Sequence, residues 1–241
     1  MRQLPQGVKN LQLYEQRLKQ FEDEVCVYPV SCEKLAAGRS DREWLDHVIA
    51  GGARIVQLRD KESSDRELLA KALYFREKTQ EAGVLFFIND RLDIGLLADV
   101  DGMHVGQKDL PPEEIRKLAP DILIGLSCNT EEQAKKLGNE VAQDKSAVSY
   151  YNIGPLFQTG TKEGLQDFLG VDGIRKFSTY CPLPFTVMGG IKLSDLESVL
   201  NAGAKRVAVV TAISQAENIE TETALWQQSI QSARKGGSDA S

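Results

Sequence analysis

The chain is poor in the residues that most often announce a chemistry. Its two histidines, His47 and His104, fit no H-E-x-x-H pattern and no Ser-His-Asp order, and each reads as structural rather than as a general base. The four cysteines, Cys26, Cys32, Cys128 and Cys181, lack C-x-x-C spacing, so neither a zinc site nor a disulfide framework is indicated. No P-loop is present, and no G-x-G-x-x-G follows the first apolar run. No stretch approaches the roughly 18–20 uninterrupted apolar residues of a membrane span. The first residues carry no signal-peptide apolar region. Basic residues are the minority, 29 Lys and Arg against 35 Asp and Glu, and a net charge of −6 argues against a nucleic-acid footprint. The expectation is a reduced, soluble, cytoplasmic protein acting on small molecules, with no nucleic-acid and no membrane partner. A homo-oligomer stays open.

What is there is a regular alternation. Short apolar runs at residues 25–28, 54–58, 84–88, 102–105, 122–126, 147–151, 185–188 and 206–210 are strand-sized and several are rich in β-branched or aromatic residues. Helical stretches separate them, and Ser64-x-x-Glu67, Thr130-x-x-Gln133 and Ser194-x-x-Glu197 each fit a capping box. Asn201-Ala202-Gly203 fits a helix stop. Eight such units within 241 residues predict an α/β fold, a single (β/α)8 TIM barrel over 25–235. A doubly wound open sheet is the alternative. Leu11, Tyr14, Leu18, Phe21 and Val25 recur at helical spacing, so residues 1–24 are read as an extension with an extra N-terminal helix packed on the barrel. Residues 236–241 are read as a disordered tail.

In such barrels the reactive groups stand just after the strands. Gln57, Arg59 and Lys61 close the second run at alternate positions, so they project together and suit a multiply charged anion such as a diphosphate. A solvated strand end is the plain alternative. Asp90 and Asp109 follow neighbouring runs, and paired carboxylates beside such cations suit Mg2+. Taken singly, Asp90 also fits a helix N-cap and Asp109 the turn before Pro111-Pro112. Thr159-Gly160-Thr161-Lys162 resembles a small anion cradle, and Gly189-Gly190 and Thr211 stand where barrels bind phosphate. Two anionic subsites follow, a diphosphate with metal near the second to fourth strands and a monophosphate near the sixth to eighth.

In this order the motifs resemble the thiamine-phosphate synthase family. The likeness runs through Gln57-Leu58-Arg59-Asp60-Lys61, Ile88-Asn89-Asp90-Arg91, Asp101-Gly102-Met103-His104-Val105-Gly106-Gln107-Lys108-Asp109, Gly125-Leu126-Ser127, Gly154-Pro155, Thr159 to Lys162, Met188-Gly189-Gly190-Ile191 and Val209-Val210-Thr211. The resemblance implies a transferase that joins a pyrimidine diphosphate to a thiazole phosphate and releases diphosphate. It also implies that Gln57, Leu58, Arg59, Asp60, Lys61, Asn89, Ser127 and Lys162 hold the pyrimidine diphosphate. Thr159, Gly160, Thr161, Gly190, Val210 and Thr211 would hold the thiazole phosphate, with Asp90 and Asp109 on Mg2+. Arg59, Lys61, Ser127 and Lys162 are the catalytic residues it implies. The chain departs from the family pattern at Asn152, where a glycine is common, and at Cys128-Asn129, which lack a frequent histidine. Val27-Tyr28-Pro29-Val30-Ser31 is a further departure. The rival readings are a thiazole tautomerase-like isomerase, a non-catalytic thiazole phosphate-binding barrel and an unrelated phosphate-binding isomerase.

Overall fold

The computed structural model describes residues 5–160 and 167–236. Eight parallel strands form one sheet: β1 (Val27–Pro29), β2 (Ile55–Leu58), β3 (Leu85–Asn89), β4 (Gly102–Val105), β5 (Leu123–Cys128), β6 (Tyr150–Ile153), β7 (Phe185–Val187) and β8 (Val207–Val209). They pair in the order β1-β8-β7-β6-β5-β4-β3-β2. The ring closes where Val30 bridges Gln57 and the Ser31 N–H donates to the Gln57 carbonyl at 2.8 Å. This is the (β/α)8 barrel that the alternation predicts. Its helices are α1 (Leu11–Asp23), α2 (Asp41–Ala50), α3 (Asp65–Ala82), α4 (Leu92–Leu97), α5 (Pro112–Leu118), α6 (Glu131–Ala142), α7 (Gly170–Ser178), α8 (Leu196–Asn201), α9 (Thr211–Ser214) and α10 (Ile219–Gly236). Among the described residues, no helix is long and apolar enough to cross a membrane.

The capping boxes at Ser64/Glu67 and Thr130/Gln133 form as expected. The one expected at Ser194 does not. Leu193–Asp195 makes a short 3-10 turn instead, and the Asp195 carboxylate accepts from the Lys192 N–H at 2.9 Å. Strand β6 also begins later than its apolar run. Ala147 and Val148 are buried but unpaired in the sheet, and the Ala147 carbonyl is taken by the Arg116 guanidinium at 2.9 Å. Apolar burial and strand pairing are separate demands, and a run of sequence reports only the first. The tail beyond Gly236 lies outside the described residues.

Strand parity divides the core in two. Val56, Leu58, Phe86, Ile88, Met103, Val105, Ile124 and Tyr151 point outward and pack with the helices. Ile55, Leu85, Phe87, Leu123, Tyr150 and Ala208 point inward. The interior is tight enough to require glycine beside its large rings. A Cβ on Gly125 would lie 2.2 Å from the Tyr150 ring, and one on Gly102 would lie 2.3 Å from Phe87.

The N-terminal helix completes this inner core rather than lying on the outside. Tyr14, Leu18 and Phe21 of α1 join the same cluster as Ile55, Leu85 and Leu123, which stand at the starts of their strands. The helix therefore stoppers the lower end of the barrel. The Phe21 ring lies 4.6 Å from Tyr150 and 6.4 Å from Phe87. Arg206 donates to the carbonyls of Phe21 and Glu22, both at 2.8 Å, so the helix end is not left with orphan acceptors. Leu11, by contrast, is 45% exposed and lies off this face.

Emptying the Phe21 position leaves a cavity between aromatic neighbours, so Phe21→Ala should cost about 3–5 kcal/mol in urea unfolding. A loss of less than about 1 kcal/mol would show that α1 merely lies against the barrel and does not fill it.

Candidate active site

A cavity opens at the C-terminal ends of the strands, and its wall can be read strand by strand. From β2 come Gln57, Arg59 and Lys61, as alternation requires. Leu58 and Asp60, which the resemblance also assigned to substrate, do not line it. Leu58 is buried against the helices, and the Asp60 carboxylate turns outward to the Lys71 ammonium of α3 at 2.6 Å. Parity is the reason: a five-residue motif on a strand end can send only alternate side chains inward.

Asn89 ends β3 and Asp90 follows it. Asp90 adopts a left-handed backbone, φ +60°, a conformation aspartate tolerates better than most residues. Its N–H donates to the His104 carbonyl at 3.0 Å, and its carboxylate lies 3.2 Å from the Lys61 ammonium. Asp109, from the loop after β4, accepts from the Gly106 N–H at 2.7 Å. Burial raises the pKa of Asp90 above the ordinary carboxylate value, the charge of Asp109 adds to that, and Lys61 opposes it. Two hard oxygen donors whose charges oppose one another are what a small divalent cation relieves, so this donor set fits Mg2+.

The opposite wall carries few charges. Asn152, Gly154, Pro155 and Thr159 come from β6 and its loop, Gly189, Gly190 and Ile191 follow β7, and Val210, Thr211 and Ala212 follow β8. The loops are pressed together: the Phe157 N–H donates to the Gly189 carbonyl at 2.9 Å. Gly190 sits at φ +64°, and a Cβ there would meet the Gln158 carbonyl at 2.3 Å. Backbone amides and hydroxyls on such a wall suit a phosphate that needs no metal. Gly160 borders a neighbouring cavity beyond Lys61, while Thr161 and Lys162 fall outside the described residues.

Between the two walls runs a chain of hydrogen bonds that strand-end motifs did not reveal. The Gln57 amide nitrogen donates to Tyr28 Oη at 2.7 Å, and Tyr28 and Tyr150 share a 3.3 Å contact. Tyr150 reaches His104 Nδ1 at 3.0 Å, and His104 Nε2 reaches Ser127 Oγ at 2.9 Å. Burial pushes both tyrosines above the ordinary tyrosine value, so they stay protonated. With the Gln57 nitrogen facing Tyr28, one consistent order has each hydroxyl donating onward and His104 protonated on Nε2, and the other histidine tautomer reverses it. In that order the Gln57 carbonyl oxygen is left as an acceptor at one end and the Ser127 hydroxyl as a donor at the other. His104 thus lines the cavity, which its place mid-run had not suggested. Parity was the available signal, since residues 102, 104 and 106 share a face.

Cations and paired carboxylates facing an amide-lined wall across one barrel mouth define a phosphate-handling (β/α)8-barrel enzyme. The chain belongs to the thiamine monophosphate synthase family, whose model matches residues 27–213. It is 38% identical over 200 residues to the thiamine-phosphate synthase of Pelotomaculum thermopropionicum, covering 83% of this chain and 89% of that one. Its likeness to the thiamine-phosphate synthase of Caldicellulosiruptor saccharolyticus is 36% over 214 residues, with 88% and 94% covered. Among solved structures, the thiamine phosphate pyrophosphorylase of Pyrococcus furiosus superposes with a TM-score of 0.77 at 27% identity, covering 88% of this chain and 98% of that one. At Asn152, one of the departures from the family pattern, the side chain lines the cavity and its Oδ1 accepts from Thr186 Oγ1 at 2.9 Å.

The proton order is directly observable. Nitrogen-15 NMR of the imidazole should find His104 neutral, protonated on Nε2 and bare on Nδ1. The opposite tautomer would reverse the chain and remove Ser127 as a free donor.

Proposed function

We propose that this site joins 4-amino-2-methyl-5-(diphosphooxymethyl)pyrimidine to 4-methyl-5-(2-phosphoethyl)thiazole, giving thiamine phosphate and diphosphate. Family membership supports the reaction class, a transferase, and the two unlike walls of the cavity support the assignment of substrates. The observation that carries the reading is the placement of Arg59, Lys61, Asp90 and Asp109 on one side of the mouth and Gly190, Thr211 and Thr159 on the other.

The reaction balances without a protein nucleophile or base. The C–O bond to diphosphate breaks and its electron pair leaves on oxygen. The thiazole nitrogen lone pair then forms the new C–N bond, and no proton changes hands. What the protein must supply is charge stabilisation and alignment. Arg59 and Lys61 face the oxygens on which negative charge grows. The Gln57 carbonyl can accept from the amino group of the pyrimidine, and the Ser127 hydroxyl can donate elsewhere on the pyrimidine diphosphate. Thr159, Gly190 and Thr211 hold the phosphate of the thiazole, which fixes its nitrogen relative to the methylene carbon. By likeness to the family, Thr161 would hold the thiazole phosphate and Lys162 the pyrimidine diphosphate.

Asp90 and Asp109 are the residues that would hold Mg2+. When bound, the ion would neutralise leaving-group charge and raise the acidity of the departing diphosphate.

Incubation with both heterocycles, with and without Mg2+, while following diphosphate tests this reading. Diphosphate and thiamine phosphate should appear together and only with the metal. Isomerised thiazole phosphate without diphosphate would indicate a tautomerase, and tight thiazole phosphate binding without turnover a non-catalytic barrel. Asp90→Ala and Lys61→Ala should each lower kcat by about 10²–10³ with circular dichroism unchanged. Release of diphosphate at the wild-type rate by either variant would remove that residue from the reaction.

A further inference from the structure

Behind the diphosphate side of the mouth lies a charged cluster that the reaction does not use. Lys71, in the second turn of α3, places its ammonium 2.5 Å from Glu33, 2.9 Å from Asp41 and 2.6 Å from Asp60. Oxygens of these three carboxylates lie within 4.8 Å of one another, a spacing that could suit a divalent ion. The ammonium occupies that position and offers one N–H to each carboxylate. Asp41 is 1% exposed and Asp60 5%, so the pairing stands largely out of water.

Asp60 is the member that matters for the site, because it lies between Arg59 and Lys61 in sequence. Its Oδ1 accepts from the N–H groups of Glu62 at 2.9 Å and Ser63 at 3.0 Å. Its Oδ2 takes the Ser63 hydroxyl at 2.6 Å and the Lys71 ammonium. Burial pushes the Asp60 pKa up, but Lys71, Ser63 and the backbone donors outweigh it, and the carboxyl is held well below the usual range. It is therefore a permanent anion one peptide away from two cations that are needed elsewhere. Arg59, Lys61, Asp60 and Lys71 also border one common cavity, so no wall separates the competing partners.

We propose that Lys71 is a positioning residue for the diphosphate side of the site. By sequestering the Asp60 carboxylate, with Glu33 and Asp41, it prevents that anion from pairing with Arg59 and Lys61 and leaves both cations to the substrate. The inference rests on the assignment of those two cations to diphosphate. Without Lys71, three clustered carboxylates repel, and Asp60 turns to the cations of the same cavity, where Arg59 and Lys61 flank it in sequence and Lys34 and Arg39 also line the wall.

The test uses the full chain, with inorganic diphosphate and Mg2+ as the calorimetric probe beside steady-state kinetics. Lys71→Met should raise the diphosphate Kd and the KM for the pyrimidine diphosphate by about ten- to hundredfold, the range found when the partner of a ligating group is removed. The KM for the thiazole phosphate should change by less than about twofold, since it binds at the other wall. Adding Asp60→Asn to Lys71→Met should recover most of the loss, because asparagine keeps the carbonyl that accepts from Glu62 and Ser63 but carries no charge. A purely structural role would make the double variant as impaired as Lys71→Met or worse.

Unchanged diphosphate affinity in folded Lys71→Met, or equal losses for both substrates, would overturn the inference. So would failure of Asp60→Asn to restore binding. If Lys71→Met does not fold, the double variant decides, and weak diphosphate binding by it in folded form refutes the idea. Wild-type protein that does not bind diphosphate at all would instead refute the assignment of the site.

Discussion

The alternation of side chains across a closed ring of strands is the constraint from which the rest of this molecule follows. In an open sheet, both faces can be covered by helices. Closing the ring makes one face an interior of fixed and narrow width, which must be filled below and left accessible above. The lower layers hold Ile55, Leu85, Phe87, Leu123 and Tyr150, with glycines at positions 102 and 125 where no side chain fits. Two residues further along the same strands the interior turns polar, giving Gln57, Asn89, His104, Ser127 and Asn152. Core and reactive surface are successive layers of one column.

Much of this was legible before the structure, and the limits of legibility have physical causes. Eight strand-sized runs separated by capped helices fit a closed ring or an open sheet, and the bridge between Val30 and Gln57 decides for the ring. The inward set Gln57, Arg59 and Lys61 followed from period two alone. The same rule counts against Leu58 and Asp60 as side-chain ligands, and a motif carried over whole concealed it. Where β6 begins was not legible, since Ala147 and Val148 are as apolar as strand residues but face Arg116 and the flanking helices. The roles of Tyr28, Tyr150 and His104 were not legible either. Their hydroxyls and ring nitrogens meet across strands far apart in sequence, and only the closed ring brings strands 1, 2, 4, 5 and 6 to one centre.

The distribution of charge follows a single logic. Cations and carboxylates stand at the same rim, so each could quench the other before any substrate arrives. The structure manages this with geometry. Lys61 stays beside Asp90 at 3.2 Å on the cavity wall, while Asp60 is drawn to the outside of the barrel. The opposite wall avoids the difficulty altogether, because its donors are amides and hydroxyls with no counter-charge to exclude.

The aromatic column also ties the two ends of the barrel together. Phe21 of the N-terminal helix lies against Tyr150, and the hydroxyl of Tyr150 belongs to the hydrogen-bonded chain beneath the cavity. A shortened protein beginning at β1 would keep every side chain that lines the mouth, yet it would lose the layer of Tyr14, Leu18 and Phe21 that covers the strand starts. In this molecule a segment outside the ring props the tyrosine whose hydroxyl lies under the cavity.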